Sequence, residues 1–414
     1  MNLQFNIDEV GVIFSILSIV VFLCAGIFSF EYMKHEKNHL RYAIFYILGF
    51  LCFQALCFAG NLITYYLFFE MLTLSTFPLV LHNGSREATM AGLKYLFYSL
   101  CGAYMVLFGL YFSLNSASFT EGGAMKGMLA SMDPSKCGLY YLCVTLMVFG
   151  FSVKAGMFPM HAWLPTAHPV APAPASAVLS AVIVKAGVLG IIRTIFYVYG
   201  IDFVKGSFVQ ILFMIITLVT VFMGSMLAYR EDVLKKRLAY STVSQVSYIL
   251  FGLFTFNTIG YKGALLQTCA HGVVKCGLFL CAGAIIYKTG KTKVSELRGI
   301  GKQMPVTMVC YTILSLSLIG IPPTGGFSAK WYLAIGALDS GVAVLSWVGP
   351  AVLLISALLT AGYLLPISMN GFFPGDDYDT ENVESMEPNM LMTVPIIVLT
   401  IIAVIIGIVP SIIA

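Results

Sequence analysis

Twelve stretches of about 20 mostly apolar residues follow one another along this chain, near residues 10–30, 41–60, 61–82, 91–115, 139–166, 172–194, 208–229, 236–256, 261–287, 307–334, 344–372 and 391–412. Each is long enough to cross the hydrocarbon core of a bilayer as a helix, since a helix rises about 1.5 Å per residue and the core is about 30 Å thick. Lipid offers no partner to backbone N–H and C=O groups, so a chain of this pattern has to satisfy them within its own helices. The expected fold is therefore all-α, a polytopic membrane protein of about twelve spans. The 414 residues are 59% hydrophobic and 10% charged, against about 25% charged in soluble domains. Tight junctions such as His82-Asn83-Gly84 and Pro172-Ala173-Pro174 separate the stretches.

Several function classes drop out. The formal net charge of +4 is small and dispersed, with no long Lys/Arg tract, which argues against nucleic acid as a partner. Residues 1–9 carry Asp8 and Glu9 and no basic side chain, so they lack the positive start of a cleavable signal, and the first span is expected to stay in the mature protein. The 10 cysteines lie nearly all in apolar runs with no C-x-x-C, a pattern that predicts neither disulfides, zinc nor an iron–sulfur cluster here. There is no phosphate-binding loop and no G-x-G-x-x-G turn in a strand-helix setting. No cofactor is expected in this chain, and ATP or redox energy would have to come from another.

Lysines and arginines cluster in alternate connections. Lys34, Lys37, Arg41, Arg86, Arg230, Lys235, Lys236, Arg237, Lys288, Lys291, Lys293, Arg298 and Lys302 fall in the odd-numbered loops, against Lys126, Lys136, Arg193, Lys205 and Lys262 on the even side. The positive-inside rule then places the odd loops in the cytoplasm of a cell whose cytoplasmic membrane holds the protein, with both termini outside. The acidic run from Gly375 to Glu381 would be cytoplasmic; it lacks the glycine and ligand spacing of a calcium loop and reads as a solvated connection or a partner contact.

Two spans contain helix breakers at depth: Lys154-Ala155-Gly156-Met157-Phe158-Pro159 in the fifth, and Gly320-Ile321-Pro322-Pro323-Thr324-Gly325-Gly326-Phe327, followed by Lys330, in the tenth. Irregular backbone at that depth has to be buried in protein or face water. The breaks are five spans apart and so run in opposite directions, as an inverted repeat requires. The expected organisation is residues 1–40 as an N-terminal helix and loop, 41–194 and 195–372 as two inverted five-helix repeats, and 373–414 as the acidic loop and last helix.

Five ionisable residues, Glu70, Lys154, Lys185, Lys275 and Lys330, lie well inside apolar spans. At about 2.5–3.5 kcal/mol each on insertion scales, they oppose insertion by roughly 12–18 kcal/mol if unpaired and dry. Glu70 sits about 13 Å into its span; burial favours its neutral form and a nearby lysine its charged form, which makes it a switchable proton site, with a fixed ion pair as the alternative. Lys154 lies beside the first break, where its ammonium can approach Glu70 or withdraw, and Lys185 is central in its span. His271 and Lys275 are four apart and share a helix face, and an imidazole can bridge protonatable groups. Lys330 is read as the terminal site of the second half, equivalent to Lys154. Each could instead be a packing or structural residue. His161 and His168, in a run with Trp163, are expected near the cytoplasmic boundary, where they either admit protons or anchor the interface. No Ser/His/Asp or Cys/His set suggests a catalytic nucleophile.

The stretches Phe68–Pro78, Val153–Arg193 with its His-x-Trp-Leu-Pro-x-Ala-His and Ala-Pro-x-Pro runs, Leu234–Gln245, Ala270–Phe279 and Leu318–Tyr332 resemble the antiporter-like proton-pumping subunits shared by respiratory complex I, membrane-bound energy-converting hydrogenases and multisubunit Na+/H+ antiporters. The resemblance implies that a glutamate pairs with the lysine of the first broken helix and that lysines and a histidine carry protons to a terminal residue in the second. The matching positions are Glu70, Lys154, Lys185, His271, Lys275 and Lys330. The chain departs from the pattern in starting about two helices short, and in having Thr166 where many relatives carry an acid.

The reading that follows is a proton- or sodium-translocating, non-catalytic membrane subunit of a redox-driven complex such as a hydrogenase or NADH dehydrogenase. Its expected partners are further membrane subunits and a peripheral redox module holding iron–sulfur clusters, with nickel–iron or flavin centres as candidates. The alternatives are a subunit of a redox-independent cation/proton antiporter and, more weakly, a structural anchor.

Overall fold

Apolar periodicity and capping residues fix the helices. A computed structural model describes residues 3–116, 133–375 and 384–413; Lys126 and the acidic stretch from Asp376 to Glu381 lie outside these. Asp8, Asn61 and Asn257 each precede a helix and accept a hydrogen bond from a backbone N–H of its first turn, at Gly11 (3.2 Å), Thr64 (2.7 Å) and Gly260 (2.7 Å). The helices they open are α1 (Glu9–Tyr32), α3 (Leu62–Val80) and, much later, α10 (Thr258–Thr289). Between and after them run α2 (His39–Cys57), α4 (Arg86–Ser116), α5 (Cys137–Ala155), α6 (Leu164–Val170), α7 (Ala173–Tyr199), α8 (Phe208–Arg230), α9 (Leu234–Phe254), α11 (Pro305–Ile319), α12 (Gly325–Leu338), α13 (Ala343–Phe372) and α14 (Met390–Ile408). Among the described residues the extended pairing is confined to two isolated bridges, Phe5 with Ala59 and Val233 with Lys293.

Ten of these helices are long and apolar enough to cross a membrane. The two remaining expected spans are α9, made more polar by Ser241, Thr242, Ser244, Gln245 and Ser247, and the broken pair α11/α12. All twelve expected stretches thus coincide with a helix or a broken pair, in an all-helical membrane protein. Lipid never meets the polar side of α9, because α7, α9 and α10 form the buried centre and the other helices wrap them. The peripheral helices show apolar side chains outward, such as Leu354 and Leu358 of α13 and Ile44 and Leu51 of α2.

Both expected breaks are present. Helix α5 ends at Gly156, whose positive φ of 77° turns the chain away, and the indole of Trp163 donates to the Val153 carbonyl at 2.9 Å. Helix α11 ends likewise at Gly320, with φ 95°. Lys154 precedes its break and Lys330 follows its own, so the two lysines expected to be equivalent sit on opposite sides of the interruption. Helix α7 carries two π segments, Leu179–Ile183 and Arg193–Tyr199, either side of Lys185. Arg193, expected among the loop charges, belongs to the second. Its side chain is 4% exposed, and its guanidinium forks onto the Asp8 carboxylate at the start of α1.

Small residues let α4 and α5 approach closely. A Cβ at Gly102 of α4 would lie 2.6 Å from the Gly150 carbonyl of α5, and one at Gly150 would clash with the Gly102 carbonyl in turn. Overpacking of this kind costs about 1–3 kcal/mol. Gly150→Val is expected to lower the thermal unfolding midpoint of the purified protein, whereas Gly138→Ala, at a position with nothing around its Cβ, leaves it unchanged; equal midpoints would show that the two helices do not depend on this contact.

Candidate functional site

Four of the five charges the sequence singled out are held by neutral oxygen or nitrogen atoms, and the fifth stands apart. Lys154 is buried, and its ammonium donates to Thr73 Oγ1 and Tyr95 OH, both at 2.7 Å, with the rings of Phe69 and Tyr95 beneath it at 5.5 and 4.8 Å. It makes no ion pair with Glu70, contrary to the pairing the resemblance implies. Glu70 is half-buried on α3, and its Oε1 is shut from solvent without a hydrogen-bond partner. Thr73 lies one turn beyond Glu70 on the same helix and takes the ammonium in its place. Tyr95 OH also meets Thr76 Oγ1 at 2.7 Å, so a string of hydroxyls backs the lysine.

Lys185 lies at the centre of the molecule, fully buried in α7. Its Nζ lies 2.7 Å from Nδ1 of His271 on α10 and donates to the Ser180 carbonyl at 3.2 Å. Ser180 belongs to the first π segment, where the wider turn departs from the ordinary carbonyl pairing. With Nδ1 engaged by the ammonium, the neutral imidazole carries its proton on Nε2, which is buried without a partner. His271 also borders a narrow void that it shares with Gln267, Ser317 and Leu318.

His271 and Lys275 share a helix face, as their spacing predicts, yet they reach different neighbours. Lys275 donates to the Leu238 carbonyl (3.0 Å) and Ser241 Oγ (2.7 Å) of α9, and Tyr363 OH of α13 donates to the same Ser241 Oγ at 2.8 Å. Ser180 Oγ and Thr242 Oγ1 lie 2.6 Å apart, and Thr242 donates to the Leu238 carbonyl as well, so a polar thread joins the surroundings of Lys185 to those of Lys275. Lys330 donates to the Leu318 and Ile319 carbonyls at 2.7 and 2.8 Å and stands 5.1 Å from the centre of the Tyr248 ring. Those carbonyls are the last of α11, freed by the break.

The two histidines of the fifth span differ in burial. His161 is half-buried beside Phe158, with Nδ1 unpartnered. His168 is fully buried in the protein: its ring stacks on Phe279 at 4.8 Å and neither nitrogen has a partner. The Pro169–Pro172 turn folds over it, held by Lys235, whose ammonium donates to the Pro169 carbonyl at 3.1 Å.

Sequence reasoning passed over Lys94. It is half-buried in α4 and lines a cleft of about 640 Å³ with Glu87, Phe97 and Thr166. Its place within the fourth apolar stretch was the signal available. Thr73, Tyr95 and Ser241, which hold the ammonium groups, carried none, since hydroxyl residues are common in buried helices.

The comparisons agree with this architecture. A family model described as NADH:quinone oxidoreductase/Mrp antiporter, TM matches residues 59–360. NADH-quinone oxidoreductase subunit N of Desulforudis audaxviator is 34% identical over 334 residues, which are 81% of this chain and 65% of that protein. A Na(+)/H(+) antiporter subunit of Alkalihalophilus pseudofirmus is 25% identical over 404 residues, 96% of this chain and 80% of that one. The chain thus spans just under two thirds of the first relative's length and more of the second's. In fold it matches a chain of the membrane-bound sulfane sulfur reductase, an archaeal respiratory membrane complex, with a TM-score of 0.87 at 24% identity, covering 99% of this chain and 81% of that chain. The chain belongs to the NADH:quinone oxidoreductase/Mrp antiporter transmembrane family.

Proposed function

We propose that this chain is the proton-translocating membrane subunit of a redox-driven complex, and that Glu70, Lys154, Lys185, His271, Lys275 and Lys330 form its path. The observation that carries the reading is the 2.7 Å contact between Lys185 Nζ and His271 Nδ1 at the centre of the bundle. When the Lys185 ammonium passes a proton to Nδ1, the lysine becomes neutral and the ring becomes imidazolium. Once Lys330 has released its own proton, its neutral amine takes the Nε2 proton across the narrow void that His271 shares with Leu318, and the Leu318 and Ile319 carbonyls hold the ammonium so formed. An imidazole with two distinct nitrogens suits such a hand-over. A row of amines and an imidazole favours H+ over Na+, because an ammonium repels a metal cation and offers it no lone pair.

In this reading residues 41–194 and 195–372 are two inverted halves, flanked by 1–40 and 373–414, and the basic loops face the cytoplasm of a cell membrane. Glu70 receives the disturbance from a redox module through neighbouring membrane subunits. Iron–sulfur clusters, with nickel–iron or flavin centres, belong to that module. With its ammonium on Thr73 and Tyr95, Lys154 makes no direct ion pair with Glu70, and a swing of the ammonium toward the carboxylate would form one. His161 and His168 serve proton uptake, His168 by way of Lys235 beside it.

In the intact complex, Lys185→Ala is expected to reduce protons moved per electron to about a tenth or less while the protein still assembles. An unchanged ratio would overturn the central relay. Mass spectrometry of the complex purified from native membranes is expected to find iron–sulfur subunits together with a hydrogenase- or dehydrogenase-like partner. Small hydrophobic partners alone, with Na+/H+ exchange indifferent to electron donors, would make this an antiporter subunit instead.

A further inference from the structure

The cleft of about 640 Å³ beside Lys94 lies on the outside of the bundle, and nothing in the path described above uses it. One wall is a stripe of α4, Glu87, Met90, Ala91, Lys94 and Phe97, whose spacing of three and four residues puts them on one helix face. The other is α6, through Pro165, Thr166, Pro169 and Val170. At the end nearest the basic loops, the Asn83 amide just before α4 donates to the Val170 carbonyl at 3.4 Å. Glu87 therefore stands near the mouth, and Lys94 lies seven residues, or about 10 Å, deeper along the helix. Met90, Leu93 and Phe97 are exposed, and Tyr104 continues the exposed apolar face of α4 beyond them.

The Lys94 ammonium has no counter-ion within the chain. Glu87 is two turns away, and among the described residues neither side chain takes part in an ion pair. Thr166, on the facing wall, is uncharged and turns its hydroxyl back to the Ala162 and Trp163 carbonyls at 3.2 and 2.8 Å. A half-buried ammonium on a lipid-facing helix calls for an anion, and basic pockets between membrane helices take lipid head groups. The Glu87 carboxylate at the mouth repels a purely anionic head group. A head group with its phosphate deeper and a primary ammonium further out matches both charges in order of depth. A primary ammonium donates N–H groups to a carboxylate, which a quaternary one cannot do.

We infer that this cleft holds one phospholipid with a primary-amine head group, its phosphodiester on Lys94, its ammonium on Glu87 and an acyl chain along Leu93 and Phe97. The two-carbon link of an ethanolamine, with a hydrogen bond at each end and two flexible side chains to reach for it, covers the separation of the two charges. The site lies outside the proposed ion path, so its failure would leave that path untouched.

The test uses the intact complex in mild detergent and a phosphatidylethanolamine that carries a photoreactive diazirine high on one acyl chain. Peptide mass spectrometry is expected to find its adduct on α4 between Met90 and Phe97. Unlabelled dioleoyl phosphatidylethanolamine is expected to compete about ten times better than the matching phosphatidylcholine or phosphatidylglycerol. Lys94→Gln is expected to cut the adduct to about a tenth. Glu87→Gln is expected to make phosphatidylglycerol compete as well as the ethanolamine lipid, a change of preference that a merely structural role would not produce. Thr166→Asp, which supplies Lys94 with an internal counter-ion, is expected to weaken labelling and replaces Lys94→Gln should that variant fail to assemble. An adduct that all three lipids compete equally and no variant changes would show an ordinary boundary lipid and overturn the site. No adduct on this face of α4, as when a helix of another subunit fills the cleft, would overturn it too.

Discussion

Two kinds of unsatisfied group meet inside this bundle, and the fold depends on their satisfying each other. Helix interruptions leave carbonyls without an N–H partner, and buried lysines bring ammonium groups without water; either alone would be expensive in lipid. Lys330 binds the two carbonyls freed where α11 stops, Lys185 binds Ser180 in a π segment, and Lys235 binds Pro169 in the turn over His168. At the second break the interruption and the charge are therefore one design: replacing Lys330 leaves orphan carbonyls, and straightening the break leaves an orphan ammonium. At the first, the Trp163 indole takes the Val153 carbonyl and hydroxyls hold Lys154.

The acceptors chosen have a chemical consequence. Among the described residues the ion pairs are Lys34–Glu31, Arg193–Asp8 and Lys236–Glu231, and none includes a lysine of the central path. A carboxylate beside an ammonium fixes its proton, because losing it would strand a negative charge in a medium of low dielectric. Hydroxyls, carbonyls and an imidazole stabilise the ammonium while leaving the neutral amine tolerable. The guanidinium of Arg193, which does not give up its proton, is by contrast matched with the Asp8 carboxylate.

The spans were legible in the sequence because each is a long apolar run bounded by polar or Gly/Pro junctions, and both breaks were legible because Gly156 and Gly320 adopt a backbone conformation that favours glycine. The buried charges stood out against apolar neighbours. Their partners did not: Lys185 and His271 are 86 residues apart, and Lys154 and Thr73 are 81 apart, so only the tertiary fold reveals those contacts. Arg193 misled because it falls at the end of an apolar run, where a loop is the ordinary expectation; the π segment that carries the helix on to Tyr199 has no strong sequence signature. The stacking of His168 on Phe279 was not legible either, since the two residues are far apart in the chain.

Position along α10 arranges these parts in depth. From its start inward come Lys262 and Leu265 on the wall of a cavity of about 900 Å³, Gln267 and His271 at the narrow void, and then Lys275 facing Ser241. A single buried helix thus touches that cavity, the central contact and the hydroxyl thread beyond it. Because α10 is packed on nearly all sides, it cannot shift without disturbing α7 and α12 together. Motion of charge therefore falls to side chains, and a path built from lysine amines and one imidazole needs only those short side-chain movements between fixed acceptors.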